Sequence, residues 1–263
     1  MQCIKYYKDI DFIEIFDIQH KETIFKPKLK KDWDKKAKVF DKLIDSPYYD
    51  KFMEKIDLSG IESVLDIGCG NANLALKFLE KGIKVTGVDY SQGMIEAFKK
   101  NTKKYQNVRA FQKAWEDDWD DLPICDIVVI SRSFEFEDLG VKEAIEKILS
   151  KTKKAVYLTY YDGNYLDDEI LKFLNKDIVN RPEYILFLNV LYQMGIKAKL
   201  DFIEEESKNE IYSFDEFVRV VNWKLGELTD NDIKKLKDYY EMKKSQNKPL
   251  VRPMRWAYIY WKL

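Results

Sequence analysis

Short apolar runs alternate with amphipathic, helix-length segments from about residue 30 to residue 160 of the chain. The runs read as short buried strands, and the segments between them have the apolar spacing of helices. Strands separated in this way favour parallel pairing through right-handed crossovers, and therefore a doubly wound α/β sheet. The predicted strands of this part are 63–67, 83–89, 107–112, 125–130 and 154–160, and the predicted helices are 30–45, 47–56, 71–81, 91–105 and 141–150.

The pattern changes after residue 161, where longer and more apolar or more charged segments follow. Two late strands would complete a Rossmann-like sheet of about seven strands, the last of them expected to be antiparallel. N-terminal helices and a helical insertion after strand five complete the predicted architecture. The late predicted elements are an apolar helix at 181–195, a helix at 213–226 that Ser213 and Glu216 begin with a capping box, a charged helix at 229–245, and strands at 198–206 and 255–263.

Composition narrows the classes of function. The net charge is −1, from 45 basic and 46 acidic side chains, so no overall field favours nucleic acid. Cys3, Cys69 and Cys125 are scattered and only one histidine is present, so we expect no metal site and a reducing compartment. The sequence shows neither a signal-peptide pattern nor an apolar stretch of about 18 residues, so we expect a cytoplasmic location and no membrane partner.

Two glycines and a carboxylate follow the first predicted strand, in the stretch VLDIGCGNAN at 64–73. Gly68 and Gly70 allow unusual backbone angles and a close approach to a ligand, in the crevice where open α/β sheets bind. A P-loop is excluded because no Lys-Ser/Thr pair follows, and a dinucleotide fingerprint needs a small residue where Asn73 stands. S-adenosylmethionine has no phosphate, and its ammonium group suits the carboxylate of Asp66.

A second carboxylate, Asp89, ends the next predicted strand, 23 residues after Asp66. At this position a carboxylate can accept hydrogen bonds from both hydroxyls of an adenosyl ribose. Either acid alone could instead cap a turn or a helix, but two acids and two glycines in this order favour a ligand site. Asn71 and Ser91 are predicted to cap the two helices that follow these strands.

The stretches VLDIGCGNANLALKF and VTGVDYSQGMIEAF resemble the first two motifs of class I S-adenosylmethionine-dependent methyltransferases. The resemblance extends over about 61–160. It implies that the glycine turn holds the methionine part of the cofactor and that Asp89 binds the ribose. It also implies that Tyr90 and Met94 lie against the adenine. The cofactor residues implied in this way are Asp66, Gly68, Cys69, Gly70, Asn71, Asp89, Tyr90 and Met94.

One position departs from the pattern of this family, after the third predicted strand. The family often has an acid there for the adenine amino group, whereas this chain has Trp115 followed by Glu116. Either Glu116 takes this role, or Trp115 stacks on the purine. The alternative is that Trp115 and Trp119 cover the core.

The residues after strands four and five are expected to border the transferred methyl group. Residues 131–134 stand where methyltransferases of exocyclic amines carry Asn/Asp-Pro-Pro-Tyr, and both prolines are missing. Ser131 is assigned to the cofactor, and the guanidinium of Arg132 is suited to an anionic acceptor. The alternative for Arg132 is a salt bridge to Glu135, Glu137 or Asp138.

No residue carries a clear catalytic signature, because the sulfonium already activates the methyl group. His20 is a candidate base if the N-terminal segment folds over the crevice, and otherwise a surface residue. Tyr160 is a candidate for orienting the acceptor, with packing as the alternative. The insertion at 162–195 is predicted to roof the acceptor or to form a dimer face. The further candidates for acceptor contact are Tyr161, Tyr192 and Trp33.

We expect a single domain over 1–263, with a helical cap at 1–60, a cofactor-binding core at 61–160, and the acceptor roof and last strands at 161–263. The resemblance implies in-line methyl transfer to a small molecule, with S-adenosylhomocysteine as the second product. A protein or tRNA residue as the acceptor, and cofactor binding without turnover, stay open as alternatives. The chain is expected to be a monomer or a homodimer.

Overall fold

One mixed sheet of seven strands organises the part of the chain that the computed structural model describes, residues 6–25, 28–38, 46–163, 166, 168–176, 179–205, 213–251 and 254–263. The strand order is β3-β2-β1-β4-β5-β7-β6. The strands are β1 (Ser63–Ile67), β2 (Lys84–Asp89), β3 (Val108–Gln112), β4 (Cys125–Ile130), β5 (Thr152–Tyr161), β6 (Lys199–Glu204) and β7 (Arg255–Lys262).

Helices cover both faces of this sheet. A short 3-10 helix (Tyr7–Asp9) precedes them. The α-helices in the described residues are α1 (Phe12–Glu22), α2 (Lys30–Ala37), α3 (Pro47–Glu54), α4 (Asn73–Leu79), α5 (Gln92–Thr102), α6 (Val141–Ser150), α7 (Asp168–Phe173), α8 (Tyr184–Gln193), α9 (Phe214–Leu225) and α10 (Asp230–Ser245).

The pairing of the strands confirms the predicted fold class. Strands β1 to β5 pair in parallel, and β7 runs antiparallel to both β5 and β6. Because β1 pairs with β2 on one side and with β4 on the other, the strand order reverses between β1 and β4. Open α/β sheets form their ligand crevice beyond the carboxyl ends of the strands at such a point.

Capping residues explain where several helices begin. The side chain of Ser91 accepts a hydrogen bond from the Met94 amide, and Ser213 forms the predicted capping box with Glu216. The predicted cap at Asn71 is wrong. The N-cap of α4 is Ala72, whose φ of 79° places it in the left-handed region, and its backbone carbonyl begins the helix without a side-chain cap.

The N-terminal region differs from the prediction at two points. Within the helical cap predicted at 1–60, sequence analysis does not place the helix α1, at whose start the Asp11 side chain accepts hydrogen bonds from the Ile13 and Glu14 amides. The helix predicted at 30–45 ends at Ala37, and residues 39–45 lie outside the described residues.

Three apolar clusters hold the elements together. Leu65 and Ile67 of β1 belong to the cluster on one face of the sheet, whereas Val64 belongs to the cluster on the other face. This division follows from the alternation of side chains along a strand. The third cluster joins α7, α9 and α10 around Phe217 and Tyr239, and it fixes the position of α9 relative to the other two helices.

Candidate active site

A pocket of about 810 Å³ opens at the carboxyl ends of the central strands. Its floor comes from the turn after β1, the end of β2 and the segments after β3 and β4, while residues 28–36 and the end of α9 cover it. A volume near the upper end of the range for small-molecule sites leaves room for two small ligands. Of the residues predicted for the site, the pocket is lined by Trp33, Gly68, Gly70, Asn71, Asp89, Tyr90, Met94, Trp115, Glu116, Ser131, Arg132 and Tyr161.

The two glycines of the turn after β1 serve different purposes. Gly68 has a φ of 70°, and a Cβ atom there would lie 2.2 Å from the Cβ of Ser133, so only glycine fits. Gly70 also has a positive φ, 51°, but a Cβ atom there would meet no heavy atom of the described residues within 4 Å. Gly68 is therefore required by packing, and Gly70 keeps the pocket open.

Two buried carboxylates lie beside this turn. Asp89 accepts hydrogen bonds from the Gly70 amide (3.0 Å) and the Ser91 amide (2.9 Å), and burial still raises its pKa to about 6. Burial and the neighbouring charge of Asp89 raise the pKa of Asp66 to about 7. The Oδ2 atom of Asp66 has no hydrogen-bond partner among the described residues, and because Asp66 lies behind the glycine turn, its charge would act on a ligand ammonium across this turn. We call Asp66, Gly68, Gly70 and Asp89 the acidic side.

Aromatic and acidic side chains follow at the neighbouring wall. The Tyr90 hydroxyl donates to the Lys28 carbonyl (2.6 Å), which ties the floor of the pocket to the segment before α2. Trp115 donates from Nε1 to the Ser133 carbonyl (3.3 Å), and the Glu116 carboxylate accepts from the Glu137 amide (2.9 Å). Both Trp115 and Glu116 line the pocket, so which of them meets an adenine stays a prediction.

Helix α2 is attached to the start of α5. The Asp34 carboxylate accepts hydrogen bonds from the Ser91 hydroxyl (2.6 Å) and the Gly93 amide (3.0 Å). These bonds hold α2 over the residues next to Asp89. They place Trp33 in the pocket wall, where its ring meets Trp223 of α9 edge-on at 5.8 Å.

Arg132 is held in a fixed position at the end of β4. It has a φ of 58°, a conformation that costs non-glycine residues energy and is common at functional sites. Its guanidinium donates to Glu205 (3.1 Å) and to the Tyr49 hydroxyl (2.7 Å) and lies 4.2 Å from the ring centre of Tyr48. The predicted salt-bridge partners Glu135, Glu137 and Asp138 are therefore wrong, because the chain turns at Arg132 and directs the side chain toward β6.

A second arginine, which sequence analysis missed, lines the same pocket. Arg181 donates to Glu135 (3.1 Å), and its guanidinium lies 3.9 Å from the ring centre of Tyr161. The Tyr161 hydroxyl donates to the same carboxylate. Glu135 thus holds a cation and a phenol together at the wall of the pocket.

Three half-buried lysines complete this part of the wall. Lys28, Lys36 and Lys224 line the pocket, and burial lowers the pKa of each of them. The pKa of Lys224 is lowered to about 8, by burial first and then by the charges of Arg181, Lys36 and Lys28, with Glu135 opposing the shift. We call Lys28, Lys36, Arg132, Arg181 and Lys224 the basic side.

Several predicted site residues are not among the described residues that line the pocket. His20 lies against Phe136, with its Nε2 atom 2.7 Å from that residue's carbonyl oxygen. Tyr160 is buried on the other face of β5 from Tyr161, stacked on Phe187. The other three are Tyr192, which is exposed on α8, Cys69, which is buried against the sheet, and Asp66, which lies behind the glycine turn.

The insertion at 162–195 contributes less to the pocket than predicted. Within the described part of this segment, Arg181 lines the pocket, while α8 packs on α1. Residues 28–36 and the end of α9 cover the pocket instead.

Two further features of the described residues concern metal binding and membrane-spanning helices. They contain no group of three or more His, Cys, Asp or Glu side chains arranged to hold a metal ion. None of their helices combines the length and the apolar character needed to span a membrane.

The comparisons with known proteins agree with this geometry. A family model described as a methyltransferase domain matches residues 64–155. An uncharacterized protein of Haemophilus influenzae is 36% identical over 239 residues, which are 87% of this chain and 88% of that protein. A carboxy-S-adenosyl-L-methionine synthase of Campylobacter jejuni is 32% identical over 222 residues, which are 73% of this chain and 93% of that protein.

The fold of the chain is similar to that of solved methyltransferases. A methyltransferase of Thiobacillus denitrificans, in complex with S-adenosylhomocysteine, superposes with a TM-score of 0.55 over 90% of this chain and 99% of that one, at 12% identity. This likeness shows the Rossmann-like fold. The chain belongs to the class I S-adenosylmethionine-dependent methyltransferases, and it is an enzyme that uses S-adenosylmethionine.

Proposed function

We propose that the enzyme transfers the methyl group of S-adenosylmethionine to a small anionic acceptor by direct in-line displacement. The observation that carries this proposal is that Arg132 and Arg181 line the same pocket as the glycine turn and Asp89. A covered pocket with fixed guanidinium groups suits a small acceptor with a carboxylate or a phosphate.

The acidic side has the features that the cofactor requires. Asp89 would accept the ribose hydroxyls, the open space at Gly70 would receive the methionine part, and the unpaired oxygen of Asp66 would attract the ammonium group. The cofactor supplies an electrophilic methyl group. The residues of the chain then have to hold the acceptor in line and exclude water.

The alternatives differ in the acceptor and in turnover. The enzyme is incubated with methyl-labelled S-adenosylmethionine and separately with metabolite, RNA and protein fractions. We expect release of S-adenosylhomocysteine with the metabolite fraction alone. Label in RNA or in protein would contradict the proposal, and tight cofactor binding without release in any fraction would indicate a protein that binds without turnover.

A second candidate function comes from the name of the Campylobacter jejuni relative, which is 32% identical and 93% covered by this chain. If this chain did the same, its product would be S-adenosylmethionine with an added carboxyl group, and the reaction would consume a carboxyl donor. Arg132 and Arg181 would suit such a carboxylate as well. Mass spectrometry of the cofactor after incubation with the metabolite fraction separates the two, because methyl transfer gives S-adenosylhomocysteine and this reaction gives a heavier cofactor.

A further inference from the structure

The basic side brings together five cations from four separate segments of the chain. Lys28 precedes α2 and Lys36 lies on it, Arg132 follows β4, Arg181 precedes α8, and Lys224 lies near the end of α9. The chain as a whole has a net charge of −1, so this concentration of positive charge does not reflect its composition. Glu205 and Glu135 offset part of this charge at the two arginines, and bringing like charges together in a half-buried wall costs free energy that an anionic ligand would reduce.

The two arginines are positioned before any ligand arrives. The guanidinium of Arg132 is held by Glu205 and Tyr49, and that of Arg181 by Glu135. A guanidinium carries five N–H donors in one rigid plane, so groups held in this way can still donate to an anion. Because their positions are fixed beforehand, less ordering free energy is lost when an anion binds.

Burial is the main reason why the pKa of each of the three lysines is lowered, and neighbouring cations add to this shift at Lys36 and Lys224, whereas Asp32 and Glu135 oppose it at Lys28. Lys224 faces Arg181, Lys36 and Lys28, all of which lower its pKa, and Glu135, which raises it. The charges of Arg132 and Lys28 in turn lower the pKa of Lys36, in addition to the effect of burial. One negative charge in the pocket would compensate only part of this repulsion, whereas two would compensate more of it.

The wall next to these cations is aromatic. The ammonium group of Lys36 lies 4.2 Å from the ring centre of Trp223, and Trp33 meets the same ring edge-on. Tyr161 and Trp256 line the pocket near Arg181, with their ring centres 5.4 Å apart. Flat, rigid side chains of this kind suit an acceptor with a planar body.

On the basis of the proposed function, we propose that the methyl acceptor carries two negative charges on a planar body, and that Arg132, Arg181 and Lys224 bind these charges. A phosphomonoester and a pair of carboxylates offer the same charge, and the experiment below distinguishes them.

Calorimetry with three small aromatic probes tests the number of charges. Phenyl phosphate, phthalate and benzoate are titrated separately into the protein saturated with S-adenosylhomocysteine. We expect both dianions, or the one of the matching type, to bind at least about tenfold more tightly than benzoate. Stronger binding of phenyl phosphate assigns a phosphomonoester, and stronger binding of phthalate assigns a dicarboxylate. Equal binding of benzoate, or no measurable binding of either dianion at millimolar concentration, overturns the inference.

Variants of α9 test whether the basic side is responsible. Lys224→Met is expected to lower the affinity for the preferred dianion about tenfold, while Lys224→Arg keeps it. Arg219→Met removes an exposed cation from the same helix and serves as the matched control. Full dianion affinity in Lys224→Met would overturn the assignment of this residue.

The pH dependence supplies a second readout. Because Lys224 loses its proton near pH 8, the affinity for the preferred dianion should fall as the pH rises from about 7 to about 9, and Lys224→Arg should flatten this fall. Lys28 and Lys36 line the same pocket, and burial lowers the pKa of both, so they also contribute to the pH dependence. An affinity independent of pH in the wild type would count against the inference.

Binding of S-adenosylhomocysteine is measured first for every variant, which also shows that the variant is folded. Absence of this binding in the wild type would refute the proposed function itself. Binding of S-adenosylhomocysteine without any preference for dianions would refute the further inference alone.

Discussion

The acidic side and the basic side of the pocket are built in opposite ways. The acidic side consists of the glycine turn after β1, with Asp66 behind it and Asp89 at the end of the neighbouring strand, and much of it is backbone. The basic side consists of long side chains that reach the pocket from segments between Lys28 and Lys224. The first is therefore a local product of the strand–turn–helix unit, and the second a product of tertiary packing.

The pKa values on the two sides of the pocket are shifted in opposite directions. Burial raises the pKa of Asp66 and Asp89 on the acidic side and lowers the pKa of Lys224 on the basic side. In both cases the ligand-free pocket disfavours the charged form, and a ligand of opposite charge would restore it. The pocket is thus suited to a ligand pair in which the cationic amino acid end and the anionic acceptor lie at different walls.

The largest effect is expected from Asp89→Ala. Loss of the charge-assisted bonds to the ribose, each worth about 1.5–3 kcal/mol, should weaken binding of S-adenosylhomocysteine at least about a hundredfold. Calorimetry measures this, with Asp120→Ala as a control that removes an exposed carboxylate. Because Asp89 also orders the Gly70 and Ser91 amides, Asp89→Asn is measured as well. Unchanged affinity in Asp89→Ala would show that the acidic side does not bind the cofactor through Asp89.

A smaller loss is expected from Gly70→Ala. A left-handed φ costs a non-glycine residue roughly 1–2 kcal/mol, and the added methyl group would enter the open space of the pocket. We expect a loss of stability in chemical denaturation and a loss of S-adenosylhomocysteine affinity of some tens of fold. Gly60→Ala is the matched control, since Gly60 has a φ of 66°, open surroundings and a place outside the pocket wall. Equal affinities in the two variants would show that the turn does not cradle the ligand.

The contrast between the two sides explains what could be predicted from the sequence. The fold follows from strands and helices that alternate along the chain, and the glycine turn with its acid lies within a single strand–turn–helix unit. Arg181 and Lys224 have no such local pattern. Lys224 lies on an amphipathic helix, where a lysine usually faces solvent, and only the packing of α9 on α7 and α10 turns it toward the pocket.

Side-chain direction accounts for the other differences. Tyr160 and Tyr161 are adjacent on β5 and so face opposite sides of the sheet, but the sequence does not show which side holds the pocket. Arg132 turns away from the acids that follow it because its backbone is left-handed. An arginine in the sequence does not indicate this conformation, so it could not be predicted. Asn71 is not the N-cap of α4, because Ala72 occupies that position in a left-handed conformation.

The pH dependence of cofactor binding is expected to be more modest. Because the raised pKa values of Asp66 and Asp89 are about 7 and 6, the two carboxyl groups ionise as the pH rises from about 5 to 8, and affinity for the ammonium-bearing S-adenosylhomocysteine should rise several-fold over this range. Asp34 is the other charged group that acts on Asp89. Calorimetry on the wild type and on Asp66→Asn checks this, because the variant should have a flatter profile. A fall in affinity over this range would contradict the opposite responses of the two sides.

The same shifts affect the stability of the ligand-free protein. A folded carboxyl group with a raised pKa holds its proton more firmly than in the unfolded chain, so its contribution to stability is largest below about pH 4 and is lost as the pH rises toward 7. Asp66→Asn removes this loss. The variant should therefore be more stable than the wild type in urea at pH 7.5, and the difference should shrink as the pH falls. A constant difference would show that Asp66 does not titrate in this range.

The smallest effect on catalysis is expected from His20→Ala. This variant tests whether a residue outside the pocket wall takes part in the reaction. The Nε2 atom of His20 lies 2.7 Å from the Phe136 carbonyl oxygen, and its ring packs between Phe16 and Phe136, outside the described wall of the pocket. Loss of one hydrogen bond and its ring contacts should cost about 1–2 kcal/mol of folding stability. Because His20 does not line the pocket, the rate of S-adenosylhomocysteine release with the metabolite fraction should stay within about twofold, a change of about 0.4 kcal/mol in the barrier. A large loss of rate with intact cofactor binding would instead make His20 the base, and would mean that α1 moves over the pocket during the reaction.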